Sequence, residues 1–237
     1  MISIYGKTDI GRIREENQDN FKIGTYEELS FVIVCDGMGG HNGGSIASKM
    51  SVDLISKYIL ENKESKDMDE LLKESIKIAN ERIYSESLTN GYLYGMGTTV
   101  DLCIIKDDIA HIAHVGDGRV YKIHDDSITQ VTSDHSMVEE MIKIGEITYE
   151  EAKTHPRKNI ITRAVGTEEN VIVDYISLSD FNSIFICTDG LVNYLGPERI
   201  KDIILSSEND EEAVSGCIKE ANDLGGKDNI TAVLIRK

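Results

Sequence analysis

The stretch FVIVCDGMGGHNGGSIAS, residues 31–48, drives a run of apolar, β-type residues into an acid and then into a glycine-rich turn that opens a helix. Residues 31–35 are far too few to span a membrane and are bounded by a turn signal, so they read as a buried strand with Asp36 at its end. A carboxylate in that position is costly unless it meets a cation or a dense set of hydrogen-bond donors. The glycines at 37, 39, 40, 43 and 44 let the backbone turn tightly beside it. The plainer alternative is that Asp36 merely caps the turn, and this stretch alone does not separate the two.

On the N-terminal side, residues 2–5 read as an edge or entry strand, followed by the polar turn KTDIGRIREENQDN and a short strand near 21–23. Arg14, in that turn, has an ordinary surface ion pair with Glu15 or Glu16 as its plain reading. On the other side come two amphipathic helices, about 44–61 (Ile46, Met50, Leu54, Tyr58) and 68–88 (Leu71, Leu72, Ile76, Ala79, Ile83), with Asp67 as a candidate cap. The period then changes. Residues 96–132 alternate apolar and polar, broken by KDD, GDG and HDDS, and predict a meander of three or four antiparallel strands. Residues 134–155 are helical and polar, a flap or inserted helical hairpin in which His135 and His155 are expected at the surface. Strands follow at 160–164, 171–178 and 183–188, helices at 197–205 and 210–222, and a last strand at 230–235. With no internal repeat, low-complexity tract or linker, residues 1–237 are expected to form one domain.

The charge narrows the function. Against 25 basic residues stand 42 acidic ones, a net charge of −17, which argues against nucleic acid or an anionic membrane as partner. It also repels phosphorylated substrates, so phosphate chemistry would need local positive charge from metal or arginine. Cysteines 35, 103, 187 and 217 sit in apolar or helical settings without zinc-type spacing. They read as reduced core residues of a cytoplasmic protein, and the N-terminus shows no leader pattern. Apolar runs stop at about five residues, well below the ~18 of a membrane span.

The acids form a pattern. FVIVCDG ends in Asp36, HIAHVGDG in Asp117 and SIFICTDG in Asp189, while GGKDNITAVLI starts its strand just after Asp228. If two sheets pack face to face, these ends can converge on one rim, where like charges cannot stay ionised without cations. All-oxygen ligation suits Mg²⁺ or Mn²⁺. Any one of these aspartates could be a turn residue bonding its own backbone; four together argue for a site. Competing chemistries fail on spacing. The sixth residue after each cysteine is His41, Ile109, Asn193 or Asp223, never the arginine of a cysteine phosphatase. Neither GxxxxGK[ST], GxSxG nor HExxH occurs.

The segments DIGRIREENQD, VCDGMGGHNGG, GTT, VGDGR, ITRAVG, CTDGL and GGKDNIT resemble, in order and approximate spacing, the metal-dependent protein phosphatases of the 2C type in their bacterial form. The resemblance covers essentially the whole chain. It implies an α+β fold, a four-layer α/β/β/α sandwich of two antiparallel sheets flanked by helices, and hydrolysis of phosphoserine and phosphothreonine in proteins. It further implies that Asp36 bridges two metals, that the Gly37 carbonyl serves the second and Asp189 and Asp228 the first, and that Asp19 holds water at the second. Asp117 with Asp189 resembles the third-metal site of bacterial members, and Arg14 the arginine that grips substrate phosphate. The implied cofactors are two core Mn²⁺ or Mg²⁺ ions, with a third at that site. A hydroxide between the metals would attack phosphorus in line, without a phosphoenzyme. The implied partners are phosphorylated proteins and a cognate Ser/Thr kinase, with the enzyme a monomer that inserts in no membrane. His41 follows the bacterial DGMGGH pattern; it is either the general acid or a polar turn residue. Gly118 departs from the usual GDSR. Two rival classes stand beside it: a catalytically silent phosphoprotein-binding module, which would lack Arg14 or one of the acids where this chain lacks none, and a purely structural metal-stabilised domain, which would bind Mn²⁺ without hydrolysing an aryl phosphate.

Overall fold

A computed structural model of the chain describes residues 2–27, 29–39, 43–64 and 67–237. In chain order it runs β1 (Ser3–Asp9), β2 (Asp19–Thr25), β3 (Ser30–Met38), α1 (Gly43–Asn62), α2 (Met68–Thr89), β4 (Gly97–Thr98), β5 (Val100–Lys106), β6 (Ile109–Val115), β7 (Arg119–His124) and β8 (Ser127–Gln130). There follow α3 (Met137–Lys143), α4 (Tyr149–Thr154), β9 (Asp174–Leu178), β10 (Ser183–Cys187), α5 (Asp189–Val192), α6 (Pro197–Ser206), α7 (Asp210–Asp223) and β11 (Ile230–Arg236).

One antiparallel sheet has the order β1-β11-β10-β7-β8; the other has β2-β3-β5-β6-β9, with β4 paired to β3. Alternation along the central strands sends successive side chains to opposite faces. In β5, Leu102 and Ile104 join the layer built with Ile55, Ile59, Leu71 and Ile76 of α1 and α2. Cys103 and Ile105 turn instead to the layer between the sheets, where they meet Val32, Val34, Ile184, Ile186 and Val233. The other sheet does the same with Phe185 and Leu234, which pack on Leu191, Ile200, Ile204, Val214 and Ile218 of the C-terminal helices. These three apolar layers make the four-layer α/β/β/α sandwich. The start of α2 is capped as its sequence predicts: Asp67 accepts from the Glu70 N–H at 2.8 Å.

Several expectations need correction. β3 does not end at Asp36 but runs on through Gly37 to Met38, because β4 supplies partners there, Gly37 opposite Thr98 and Met38 opposite Gly97. The predicted meander is not one sheet: β5 and β6 belong to one sheet, β7 and β8 to the other, so GDG is a crossover between sheets rather than a hairpin turn. No strand forms at 160–164. That segment touches two different partners in turn, Ile161 bridging Ser136 and Val165 bridging Thr98, so no ladder can extend. The strand expected at 171–178 starts at Asp174, because Val171 and Val173 pack on the α1/α2 core. His135 is buried, not exposed, inside a hydrogen-bonded network at the base of the flap. The helical hairpin at 134–155 is present as α3 and α4, and the four cysteines are buried and unpaired. Among the described residues no helix is long and apolar enough to cross a membrane.

Candidate active site

The sheets bring five of the expected acids to one rim. Asp19 and Asp36 stand directly opposite each other in the β2–β3 ladder, and Asp189 lies two residues beyond the end of β10. Asp117 lies on the crossover between sheets, and Asp228 just precedes β11. A Cβ on Gly37 would come 2.1 Å from the Gly44 carbonyl oxygen, so only glycine lets α1 close down on the strand beside Asp36.

Hydroxyls position the acids. Thr231 Oγ1 donates to Asp19 Oδ2 at 2.6 Å and Thr188 Oγ1 to the same oxygen at 2.9 Å. The Asp36 N–H donates to Thr99 Oγ1 at 2.9 Å, and Thr98 Oγ1 donates to the Asp36 carbonyl, also at 2.9 Å. Asn229 ties down the loop that carries Arg14: its Oδ1 accepts from the Gln18 N–H, and its Nδ2 donates to the carbonyls of Ile10 and Glu16. These five residues lie inside the motifs GTT, CTDGL and GGKDNIT. Sequence reasoning singled out none of them, since what marks a threonine or asparagine as a site residue is a contact across strands distant in the chain.

After these bonds, three buried carboxylate oxygens have no partner among the described residues: Oδ1 of Asp19, of Asp117 and of Asp189. Burial, with the charges of Asp189 and Asp228, pushes Asp19 up to about 7. Burial, with Asp228, pushes Asp189 up to about 6. Asp36 and Asp117 are also raised well above the usual carboxylate range, Asp36 by burial and by the charges of Asp19, Asp189, Asp117 and Asp228. That mutual repulsion shows the five acids acting on one small volume. An orphaned buried oxygen is expensive, and a divalent cation both satisfies it and relieves the repulsion. The donor set is all oxygen, as Mg²⁺ or Mn²⁺ prefer. Among the described residues no three His, Cys, Asp or Glu side chains are grouped tightly enough to hold an ion by themselves. Backbone carbonyls and water would have to complete any shell, as is usual for ions that dehydrate reluctantly.

Arg14 does not pair with Glu15 or Glu16. Its guanidinium donates to Asp228 Oδ2 at 2.8 Å, with half of the side chain in solvent. Burial opposes its charge, but the hydrogen bond and charge of Asp228, with Asp36 and Asp189, raise its pKa. Beside the rim a cavity of about 640 Å³ is lined by Asp117 and Asp189, by Ile142 and Tyr149 of the flap and by Lys158 just after it. His41 lies outside the described residues.

The family model for protein phosphatase 2C matches residues 12–215. The chain is 39% identical to the "Serine/threonine phosphatase stp" of Listeria welshimeri, over 98% of this chain and 94% of that protein. It superposes with a TM-score of 0.93 and 34% identity on the serine/threonine phosphatase of S. agalactiae, covering 100% of this chain and 99% of that one. It also matches, with a TM-score of 0.86 and 26% identity over 99% and 97% of the two chains, the catalytic domain of the serine/threonine phosphatase PstP, solved with two manganese ions. A two-sheet sandwich with an acidic rim, matched along nearly its full length, leaves one assignment: this chain belongs to the protein phosphatase 2C family and is a protein serine/threonine phosphatase.

Proposed function

We propose that the rim acids hold two divalent cations, Mn²⁺ or Mg²⁺, with Asp36 shared between them. In this reading Asp189 and Asp228 serve one ion, the Gly37 carbonyl the other, Asp19 orients its water, and Asp117 with Asp189 offers a third position. The observation that carries it is the trio of partnerless buried oxygens on Asp19, Asp117 and Asp189. When bound, the ions supply Lewis acidity and an activated water, the chemistry expected for this metal-dependent family. The chain's own residues do the rest. Thr188 and Thr231 hold one oxygen of Asp19 and leave the other free, and Thr98 and Thr99 fix the Asp36 backbone. Arg14, half exposed and tethered at the rim, orients the phosphoryl oxygens.

A protein nucleophile is not part of this reading. The four thiols are buried, and burial pushes Cys103 and Cys217 up to about 12 and Cys35 and Cys187 higher still than an ordinary thiol, so none is a thiolate near neutrality. Phosphoproteins are the substrates, and a Ser/Thr kinase must supply them. A charge of −17 opposes self-association and supports a monomer, and four free thiols suit the reducing cytoplasm. The test is release of phosphate from a phosphothreonine peptide after chelation and after adding back Mn²⁺. Turnover should vanish and return; full activity in the stripped protein would refute the metal assignment.

A further inference from the structure

One buried acid in the layer between the sheets is left out of this site. Asp101, on β5, stands opposite His114 on β6 in the ladder, and both side chains are almost wholly buried. His114 Nδ1 lies 2.7 Å from Asp101 Oδ1, and its Nε2 lies 3.2 Å from the Ser133 carbonyl oxygen. With Asp101 ionised, both partners only accept, so both ring nitrogens donate and His114 is an imidazolium. Burial alone would lower its pKa, but the charge and hydrogen bond of Asp101, with the Ser133 carbonyl and Asp134, raise it. The neighbouring ring, 4.7 Å away, is in the opposite state. His135 Nδ1 accepts from the Gly116 N–H at 3.0 Å and so carries no proton, while Nε2–H points to Asp174 at 3.1 Å.

The crossover that carries Asp117 is held at Gly116 by His135, whose ring accepts from the Gly116 N–H and whose backbone N–H donates to the Gly116 carbonyl at 2.7 Å. On the other side of Asp117, Gly118 abuts Asp101: a Cβ there would sit 2.1 Å from Asp101 Oδ2. The backbone of Gly118 is not in the left-handed region, so a side chain is barred by Asp101 rather than by its own conformation. Asp101 cannot swing aside without breaking its bond to a buried cation, a break that leaves an uncompensated charge.

We propose that Asp101, pinned by the His114 imidazolium, is a positioning residue: it fills the space left free at Gly118, fixes the crossover, and thereby sets the ion affinity at Asp117. The glycine that breaks the GDSR pattern is then the partner of a buried aspartate. This rests on reading Asp117 as a metal ligand.

The test is a cycle of variants read by Mn²⁺ calorimetry, by melting of the metal-free protein and by phosphopeptide kinetics. Gly118→Ala is made in the natural chain and in a background where Asp101→Val and His114→Leu remove both partners together, so that neither is orphaned. In the natural chain Gly118→Ala should weaken the Mn²⁺ event assigned to Asp117 about tenfold, the range of a ligand losing its support, with KM for phosphopeptide unchanged. In the apolar background the same change should do nothing further. If Gly118→Ala prevents folding, the apolar background should restore it. Equal losses in both backgrounds, a harmless Gly118→Ala, or a misfolded protein that the background does not rescue would each overturn the proposal. ¹⁵N spectra should show both His114 nitrogens protonated at neutral pH; a neutral ring would remove the pinning cation and overturn it too. Asp117→Asn is the control. If it leaves Mn²⁺ binding untouched, the ligand reading of Asp117 is at fault; if it weakens binding while the cycle is additive, only the positioning role fails.

Discussion

Asp101 and Asp19 are two carboxylates on the same sheet, 1% and 4% exposed, and they are finished in different ways. Asp101 faces an imidazolium 2.7 Å away. Asp19 has two threonine hydroxyls on one oxygen, nothing on the other, and a pKa pushed up to about 7 by burial. The polypeptide completes the first acid, whereas the second is complete only with a proton or a metal ion. Burial of an acid is therefore no mark of function in this fold. The missing counter-charge is.

The contrast breaks most violently at the acid that all the others repel. Asp36→Asn should lower kcat/KM on the order of 10³-fold, the scale of losing a group that organises transition-state charge, while Asp19→Asn, acting through water, should cost about 10- to 100-fold. Equal losses in steady-state kinetics would remove the distinction between a shared ligand and a supporting one. Next in size comes Arg14→Ala. KM for phosphopeptide should rise and kcat/KM fall by about 2–4 kcal/mol, with Mn²⁺ affinity barely changed. The 2.8 Å bond to Asp228 makes the opposite result meaningful: if calorimetry shows metal affinity collapsing while KM stays put, Arg14 is a counter-charge for the rim and not a phosphate ligand. Smallest is Thr231→Val, which removes the 2.6 Å donor to Asp19 at nearly constant volume. Mn²⁺ affinity should fall about tenfold; an unchanged titration would show that Thr188 alone orients the carboxylate.

Asp36, Asp117, Asp189 and Asp228 were legible in the sequence because each carries a local signal, an aspartate beside glycine or a small turn residue where an apolar run ends or begins, whereas Asp19, in the polar ENQDN, was reached only through the family resemblance. So were the helices and the inner strands, whose period of apolar residues reports which face is buried. What stayed hidden depends on pairing. Nothing local shows that the chain changes sheets at Gly116–Gly118, since a hairpin and a crossover use the same small turn residues. His135 looks like a surface residue of a polar helical segment until the crossover folds against it. Residues 160–162 are the β-branched Ile, Ile and Thr of a strand, but only isolated bridges form here, at Ile161 and at Val165, each with a different partner. Thr188, Thr231 and Asn229 are ordinary polar residues until strands more than 160 positions away deliver Asp19 and the Arg14 loop to them.

The difference between the two kinds of buried acid also fixes a pH dependence. In the metal-free protein Asp19 and Asp189 are held up to about 7 and about 6, above the ordinary 3.8. Their protonated forms thus favour the fold below pH 4, and that contribution is lost as pH rises through 6 to 7. An ion that takes the place of those protons must expel them. The most direct measurement is therefore calorimetric titration of Mn²⁺ into the metal-free protein near pH 6, in two buffers of different ionisation enthalpy, repeated near pH 8. Net proton release near pH 6 that fades toward pH 8 is the predicted result. Heats that do not depend on the buffer near pH 6 would contradict it, because rim acids held protonated there must lose their protons to the buffer before they can ligate the ion.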